Sequence, residues 1–532
     1  MARGADARSR TSGETLESHD PATGELVGTV AITPPEAVEE IAAEVARGQR
    51  RWGLVPLRDR LRMIGRAAED LLRREDEVSR IVSREAGKTI TEATLVEVAT
   101  GALEIAWVAR FGHRYLSPER IPSPQLFAKA KRHFIVYRPL GVVGIIGPWN
   151  YPFMLPAAQV AFALAAGNGV ILKPSELTPL IGDEIARVFS RAGTPDDVLR
   201  VVHGDERTGA AVCTAPSVDK VVFTGSVESG RKVAAEVGKA GKAAVLELGG
   251  KDPAIVCADA DLDRAVAGIL WTGATNAGQT CTAVERIYVD RRVHDEFVRR
   301  LVAAARKVVP GDPRDPATQL GPINNERQYR IVMDHLEDAV GKGAVLECGG
   351  PVELPGFAGR FVGPAVLTGA DHSMKVMTEE TFGPLLPVMA FDGEQEAVRL
   401  ANDSRYGLGA SVWTRDRRRA RMLAERIDAG MAWVNDHAYS HGLAQLPWGG
   451  VKSSGGGVTH SKFGFYDMVE KRLVGEDSGR LPSGWWYPYG EVKRRGFLAA
   501  AESMASPTRR GRLGAAWRRR GELGRYLRSL LH

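Results

Sequence analysis

The sequence has few cysteines and no long apolar segment. Its 532 residues include four cysteines, at positions 213, 257, 281 and 348, with no CxxC pair or Cys/His cluster. A disulfide framework, a structural zinc site or any other metal site is therefore not expected. The few cysteines also predict a reducing, cytoplasmic compartment. The sequence contains no run of about 18 apolar residues, so a membrane span is not predicted. Residues 1–13 are polar, lack the apolar core of a secretory signal, and are predicted to be disordered.

The charge of the chain is close to balanced but unevenly distributed. There are 71 Lys and Arg residues against 65 Asp and Glu residues, a net charge of +6. Residues 476–532 hold twelve basic and five acidic residues, a net charge of +7, and the remainder of the chain carries −1. The body of the protein thus gives no reason to expect a nucleic acid as partner.

The length of the chain predicts about three or four structural units. The patterns at 35–87 and 90–111 are helical, with apolar residues at steps of three and four. Strands and helices then alternate in two successive series, which predicts two α/β domains with parallel sheets. The candidate strands are 26–31, 142–146, 169–173, 198–202, 220–224, 244–247, 254–256, 286–289, 361–366, 386–391, 411–413 and 431–434.

Three residues have side chains suited to acyl chemistry. Cys281 follows a stretch of small residues, and backbone N–H groups in such a turn can lower the pKa of a thiol. Glu247 ends an apolar strand before a glycine pair, where burial would adapt it to general-base work. Asn150 offers an N–H donor for an oxyanion. Taken alone, each also has a bland interpretation: an inert buried cysteine, an exposed strand-end glutamate and a turn asparagine.

Two further segments suggest nucleotide binding. Lys173 and Glu176 lie at the end of a strand and could hold ribose hydroxyls; the alternative is an ion pair on the surface. Gly225 and Ser226 lie between a strand and a helix, an arrangement that binds phosphate through helix N–H groups. The GxGxxG fingerprint itself is absent. The segments at 380–384 and 447–455 are typical of loops.

In order along the chain, these segments resemble the aldehyde dehydrogenase superfamily. The resemblance extends from about residue 20 to 472 and includes seven motifs in the order of that family. They are PWNYP (148–152), KPSE (173–176), FTGS (223–226), ELGGK (247–251), GQTC (278–281), ETFGP (380–384) and PWGGVKSSG (447–455).

The resemblance implies a role for each matching residue. Cys281 matches the nucleophile that forms a hemithioacetal and then a thioester, Asn150 matches the oxyanion donor, and Glu247 matches the general base. The implied cofactor is NAD, with NADP as an alternative, because Glu176 would repel a 2′-phosphate. The implied cofactor contacts are Trp149, Lys173, Glu176, Gly225, Ser226, Glu380 and Phe382.

The resemblance also implies the architecture: two α/β domains with parallel sheets and a small β oligomerisation arm. The expected divisions are a cofactor domain at 14–121 and 141–247, an arm at 122–140 and 459–475, a catalytic domain at 248–458 and a basic tail at 476–532. A homodimer or homotetramer is expected. The chain departs from the family at Val458, where an arginine is usual, which puts the loop and the contacts between subunits there in doubt.

Alternative functions and the substrate stay open at this stage. A semialdehyde dehydrogenase or a relative that transfers the acyl group to coenzyme A is the alternative enzyme, although Glu247 argues against acyl transfer. A non-enzymatic role is disfavoured by the presence of Cys281 and Glu247. Trp433, His437 and Tyr439 suggest an apolar or aromatic aldehyde, unless they pack at a subunit boundary.

The tail is the remaining segment with a distinct pattern. Leu523, Tyr526, Leu527, Leu530 and Leu531 recur at helical spacing among arginines, and the aromatic segment 485–489 lies upstream. A basic amphipathic helix of this kind can lie on an anionic membrane. Docking of the aromatic residues on the enzyme, with a solvated basic helix, is the alternative.

Overall fold

A computed structural model describes residues 13–123, 131–477, 479, 483 and 485–529. These residues form two compact units, the first within Met1–Tyr115 and Pro139–Val469 and the second within Leu116–Arg138 and Glu470–His532. The disorder expected for residues 1–12, and the predicted roles of Leu530 and Leu531, fall outside the described residues.

The strands are numbered in chain order. They are β1 (Thr15–His19), β2 (Leu26–Ala31), β3 (Glu119–Ile121), β4 (Lys131–Pro139), β5 (Val142–Ile146), β6 (Gly169–Lys173), β7 (Leu199–Val201), β8 (Lys220–Thr224), β9 (Ala243–Glu247), β10 (Asp252–Val256), β11 (Val284–Asp290), β12 (Val345–Val352), β13 (Phe361–Thr368), β14 (Leu385–Phe391), β15 (Gly409–Trp413), β16 (Met431–Val434), β17 (Gly455–Gly456) and β18 (Val469–Asp477). Each strand predicted from the sequence is confirmed, within about two residues at either end.

The α-helices are numbered in the same way. They are α1 (Pro35–Trp52), α2 (Leu57–Arg73), α3 (Glu75–Ala86), α4 (Ile90–Glu92), α5 (Thr100–Leu116), α6 (Met154–Ala166), α7 (Pro179–Arg191), α8 (Glu206–Thr214), α9 (Val227–Lys239), α10 (Leu262–Ala274), α11 (His294–Ala305), α12 (Glu326–Gly341), α13 (Lys375–Thr378), α14 (Glu394–Asn402), α15 (Arg417–Ala424), α16 (Ser461–Asp467), α17 (Glu491–Ala505), α18 (Arg509–Arg518) and α19 (Arg520–Ser529). Among the described residues, no helix is long and apolar enough to cross a bilayer.

A six-stranded sheet in the first unit determines where the site lies. Its strand order is β17-β9-β8-β5-β6-β7, and the strands from β9 to β7 are parallel. Strands β5 and β6 are fully buried, which explains their continuous apolar sequences. In register, Ile146 faces Lys173 and Thr224 faces Glu247, so the strands end together. The loops that follow them therefore share one edge of the sheet, where α/β proteins bind ligands.

A seven-stranded sheet forms the second half of this unit, in the order β12-β13-β14-β11-β10-β15-β16. It is parallel except at its edge strand β12, which pairs antiparallel with β13. Its buried core includes Ile255, Ile287 and Leu386. Cys281 precedes β11, and residues 380–382 precede β14.

The second unit combines a small sheet with three helices. Strands β18, β4 and β3 form a three-stranded sheet, in which β3 and β4 are antiparallel. In the stretch 459–475, where the sequence suggested one strand, residues 461–467 form α16 and β18 begins at Val469. Helices α17, α18 and α19 follow.

Candidate active site

One cavity in the first unit contains the residues predicted for catalysis and cofactor binding. Its volume is about 860 Å³, and it lies along the edge where β5, β6, β8 and β9 end. Its wall includes the ten residues predicted for catalysis and cofactor binding: Trp149, Asn150, Lys173, Glu176, Gly225, Ser226, Glu247, Cys281, Glu380 and Phe382.

Cys281 follows a turn with left-handed backbone. Asn276, Ala277 and Gly278 have φ values of 53°, 55° and 74°. The two non-glycine residues cost about 1 kcal/mol each in this conformation, so the surrounding structure must hold them there. Glu92 contributes to this, because its Oε1 accepts a hydrogen bond of 2.7 Å from the N–H of Asn276. A side chain at Gly278 would also collide with the backbone of the ETFGP segment.

Asn150 is held beside the candidate nucleophile by a buried hydrogen-bond network. Its Nδ2 donates to the carbonyl of Gln279 at 3.0 Å, and its own carbonyl accepts from Nδ2 of Asn276 at 3.1 Å. The hydroxyl of Tyr151 is 2.9 Å from Oγ1 of Thr280. The Asn150 amide has a second N–H, and such a fixed donor can stabilise an oxyanion without reorganisation.

The surroundings of the Cys281 thiol disfavour its ionisation. Burial raises its pKa, and the carboxylates of Asp252, Glu380 and Glu247 raise it further. The N–H of Thr282 acts in the opposite direction but is outweighed. The predicted lowering of the pKa by a backbone N–H group is thus present, but desolvation disfavours the thiolate more than this one donor favours it.

Glu247 ends β9 as a buried carboxyl without partners. Neither of its side-chain oxygens has a hydrogen-bond partner among the described residues. Burial raises its pKa well above the usual value, and the charge of Asp467 adds to this. A buried polar group in this state is costly unless water or a ligand reaches it. Glu247 is one of the residues that line the cavity.

Glu380 and Phe382 face the same cavity. Burial, followed by the charge of Glu285, raises the pKa of Glu380 to about 8, and its Oε1 accepts from the N–H of Gly250 at 3.0 Å. Phe382 has a φ of 53°, and its ring lies edge-on to Trp149 at 5.4 Å between centroids. A side chain at Gly249 would overlap the Glu380 carboxylate, so the absence of one leaves room in this part of the cavity.

The far end of the cavity has the groups that a ribose and a phosphate would need. Lys173 is buried, its pKa is lowered by burial, and its Nζ is 3.6 Å from Oε2 of the half-exposed Glu176. Ser226 caps α9, since its hydroxyl accepts from the N–H of Ser229 at 3.1 Å. The N-terminal N–H groups of α9 make the adjacent Gly225 region suited to an anion. The donor set thus fits a dinucleotide.

The aromatic residues predicted near the substrate entrance do not line this cavity. Trp433 is buried, donates from Nε1 to Oγ of Ser440 at 3.0 Å, and packs in an apolar cluster that Cys281 touches. His437 is buried 3.0 Å from the carbonyl of Thr282. Tyr439 is 53% exposed and lines a separate surface depression. Trp433 and His437 therefore contact the loop that carries Cys281, Trp433 through the apolar cluster and His437 at the Thr282 carbonyl.

The sequence profile of the aldehyde dehydrogenase family matches residues 8–474. The chain belongs to the aldehyde dehydrogenase family. Within residues 13–123, 131–477, 479, 483 and 485–529, no group of three or more His, Cys, Asp or Glu side chains could hold a metal ion.

Solved structures of aldehyde dehydrogenases are similar to this chain over most of its length. An aldehyde dehydrogenase from Brucella melitensis biovar abortus 2308 is 36% identical, with 88% of this chain and 95% of that one covered and a TM-score of 0.83. An NAD-dependent aldehyde dehydrogenase from Sinorhizobium meliloti is 34% identical, with 90% of this chain and 94% of that one covered and a TM-score of 0.84. An NADP-dependent enzyme from E. coli is 34% identical, with 87% of this chain and 95% of that one covered and a TM-score of 0.83.

Glu285 is a supporting residue of this aldehyde dehydrogenase that the sequence analysis missed. Its buried carboxylate accepts from Lys251 Nζ at 2.5 Å and from the N–H groups of Thr381 and Phe382, each at 2.8 Å. Gln328 adds a bond from Nε2 to the Thr381 carbonyl at 2.7 Å. These contacts fix the segment that carries Glu380. Glu285 lies inside an ordinary strand sequence, so no local signal distinguishes it.

Replacing Glu285 with glutamine should destabilise the enzyme strongly. The buried Lys251 ammonium would lose its counter-ion, and breaking a buried pair from one side costs about 3–5 kcal/mol. Urea unfolding measures the loss. The matched control is Asp392→Asn, which breaks the exposed pair with Arg291 and should cost less than about 1 kcal/mol. Equal losses for the two variants would contradict the supporting role.

Proposed function

We propose that this aldehyde dehydrogenase oxidises an aldehyde to a carboxylic acid, with NAD or NADP, through a covalent intermediate on Cys281. The observation that supports this most directly is the presence of a thiol, a fixed amide donor and an unpartnered carboxyl on the wall of one cavity. Those three groups are the nucleophile, the oxyanion donor and the base that oxidation through a thioester requires.

The first half of the reaction forms and oxidises an adduct on Cys281. Cys281 reacts as the thiolate, its proton passing to solvent water, and the sulfur bonds to the aldehyde carbon. The carbonyl oxygen becomes an oxyanion, which accepts hydrogen bonds from Nδ2 of Asn150 and the N–H of Cys281. A bound oxidised nicotinamide supplies a positive charge that favours the thiolate and an acceptor for hydride. When hydride leaves the carbon, the carbonyl re-forms as a thioester.

The second half releases the acid. A water molecule that enters the cavity gives its proton to the Glu247 carboxylate and attacks the thioester carbon. The carbon–sulfur bond then breaks and Cys281 is regenerated. The raised pKa of Glu247 makes its carboxylate a stronger base than an exposed glutamate. Its empty hydrogen-bonding positions are available to that water.

Product analysis tests the proposed reaction against its alternative. A panel of aldehydes that differ in chain length and charge is incubated with NAD or NADP, with and without coenzyme A. Our proposal expects cofactor reduction and a free carboxylic acid in the absence of coenzyme A. A strict requirement for coenzyme A, with an acyl thioester as product, would establish the acyl-transferring or semialdehyde alternative instead. The panel also identifies the preferred aldehyde.

We assign the cofactor contacts along the same cavity. Lys173 and Glu176 would hold the adenine ribose, and Gly225 and Ser226 at the N-terminus of α9 would hold the pyrophosphate. Glu380 would bind the nicotinamide ribose. The rings of Trp149 and Phe382 would border the nicotinamide end. Similar structures carry both NAD-dependent and NADP-dependent descriptions, so we propose NAD with NADP as an alternative.

Replacing Glu176 with glutamine should shift the cofactor preference toward NADP. Its half-exposed carboxylate would repel a 2′-phosphate, so kcat/KM for NADP relative to NAD should rise roughly 5- to 10-fold. Initial rates with both cofactors measure the ratio. The control is Glu236→Gln, which removes a charge from the same cavity on α9, where Glu236 pairs with Lys239. An unchanged ratio in Glu176→Gln would contradict the assignment.

We further propose the organisation of the whole protein. Residues 14–121 and 141–247 form the cofactor domain, 248–458 the catalytic domain, and 122–140 with 459–475 an oligomerisation arm. Strands β4 and β18 contribute their part of a three-stranded sheet to that arm, and β3, at the end of the 14–121 segment, pairs with β4. We expect a cytoplasmic homodimer or homotetramer, which light scattering of the purified protein would measure.

A further inference from the structure

The C-terminal helices α17, α18 and α19 pack on one another with few large residues inside. Gly496, Ala499 and Ala515 are buried among them, and Tyr526 is the one large side chain of these helices that is buried, in the described part of the chain. The Tyr526 ring is 5.4 Å from that of Phe497. Of the apolar face predicted for α19, Tyr526 is therefore used for packing within this unit, whereas Leu527 is 43% exposed.

Helix α18 buries a small residue and exposes its large apolar residues, which is the reverse of an ordinary surface helix. Ala515 faces inward, whereas Leu513 is 64% exposed and Trp517 is 68% exposed. An amphipathic helix normally buries its large apolar residues and exposes its small or polar ones. The outward position of these two side chains thus indicates a surface that is used for contact with something other than this unit.

Arginines surround this apolar pair. Arg510, Leu513 and Trp517 follow at steps of three and four and therefore share one face of α18. The guanidinium of Arg520 lies 4.3 Å from the Trp517 ring. Six arginines stand between 509 and 520, and no acidic residue occurs from 503 to 521. Of these six, Arg519 is neutralised, since it pairs with Glu502 at 3.0 Å and Glu522 at 3.1 Å.

The other exposed arginines of α18 lack such partners. Arg509, Arg510, Arg512 and Arg518 make no ion pair with an acidic side chain in the described parts of the chain. The net charge of residues 1–475 is −1, so the enzyme body offers no excess of negative charge to a second copy of this tail. The complementary partner must be rich in negative charge and must also accept apolar side chains.

An aromatic segment in the same unit is also exposed. Trp485, Trp486, Tyr487 and Tyr489 are all exposed, Tyr487 by 81%. Tryptophan and tyrosine are favoured at the boundary between headgroups and acyl chains, because one end of the ring is apolar and the other is polar. Nucleic acid would satisfy the arginines and stack on rings, but it offers little to Leu513.

We propose that the face of α18 formed by Arg510, Leu513 and Trp517 binds an anionic phospholipid surface. Leu513 and Trp517 would enter the boundary region of the bilayer, and the surrounding arginines would contact phosphate groups. The contact is peripheral and reversible, and its strength falls with ionic strength because part of it is electrostatic. It is independent of the chemistry assigned to Cys281.

Co-sedimentation of the full-length protein with vesicles tests this proposal. We expect binding to vesicles of phosphatidylglycerol and phosphatidylcholine in equal amounts, and little binding to phosphatidylcholine alone. The double substitution Leu513→Ala with Trp517→Ala should weaken binding to the anionic vesicles roughly tenfold or more. The substitution Arg510→Gln with Arg512→Gln should have a comparable effect. Both variants should keep the dehydrogenase rate, which shows that they are folded.

Matched variants make the result specific to this face. Leu103→Ala with Trp271→Ala removes side chains that are 64% and 54% exposed in the first unit, and Arg415→Gln with Arg417→Gln removes the same charge; neither should change binding. Equal binding to neutral and anionic vesicles, no binding, or equal losses in these controls would overturn the proposal. Retention of a duplex DNA oligonucleotide without vesicle binding would assign the face to nucleic acid instead.

Discussion

Replacing Cys281 with serine should reduce the rate of aldehyde oxidation by at least about 10³-fold. A hydroxyl at this position is a much weaker nucleophile than a thiolate, and a serine alkoxide would be even harder to form in a site that already raises the pKa of the thiol. Cofactor reduction measures the rate. Because the cofactor residues are untouched, the dissociation constant for NAD should change little.

The control for this prediction is Cys348→Ser. Cys348 is the other half-buried cysteine, lies in β12, and does not line the cavity. Its substitution should leave the rate within a few-fold of the parent. A Cys281→Ser or Cys281→Ala enzyme that oxidised aldehydes at the parent rate would remove the proposed mechanism.

Replacing Glu247 with glutamine should separate the two halves of the reaction. General-base catalysis contributes about 10²–10⁴-fold, so steady-state turnover should fall by roughly that factor. The hydride step does not need water, so rapid mixing should still show a burst of reduced cofactor close to one equivalent per active site. The control is Glu104→Gln, another buried carboxyl without hydrogen-bond partners, which should keep the parent turnover.

The pH dependence of the parent enzyme follows from the same carboxyl. Burial raises the pKa of Glu247, and its ionised form is the active base. Where deacylation limits the rate, kcat should therefore increase as the pH rises through this raised pKa and then level off. In Glu247→Gln this rise should disappear. A rise that persisted unchanged in the variant would assign it to another group.

The parallel strands were readily predicted because their sequences are short, apolar and bounded by turn residues. The predicted bounds agree with the structure for strands 142–146, 169–173, 220–224 and 431–434. Two of these, β5 and β6, are buried on both faces, which explains their continuous apolar sequences. Strand β12 was not predicted. It is partly exposed and interrupted by Gly349 and Gly350, both with positive φ, so it lacks a clear alternation.

Some residues of the site could be predicted from local sequence motifs, and others depend on contacts between distant segments. Cys281, Glu247 and Asn150 lie in short motifs that follow or precede strands, so their presence on one cavity could be anticipated. The link from Glu285 to Lys251 and the 381–382 backbone depends on tertiary packing between distant segments. The outward orientation of Leu513 and Trp517 could not be read from spacing either, because α18 packs through its small residues.

The most direct measurement of the central claim is the intact mass of Glu247→Gln after reaction with an aldehyde and NAD. Our account predicts an increase equal to the acyl group, located on Cys281 by peptide mapping, and its absence when NAD is omitted. A variant that formed reduced cofactor without acquiring this mass on Cys281 would contradict the covalent mechanism.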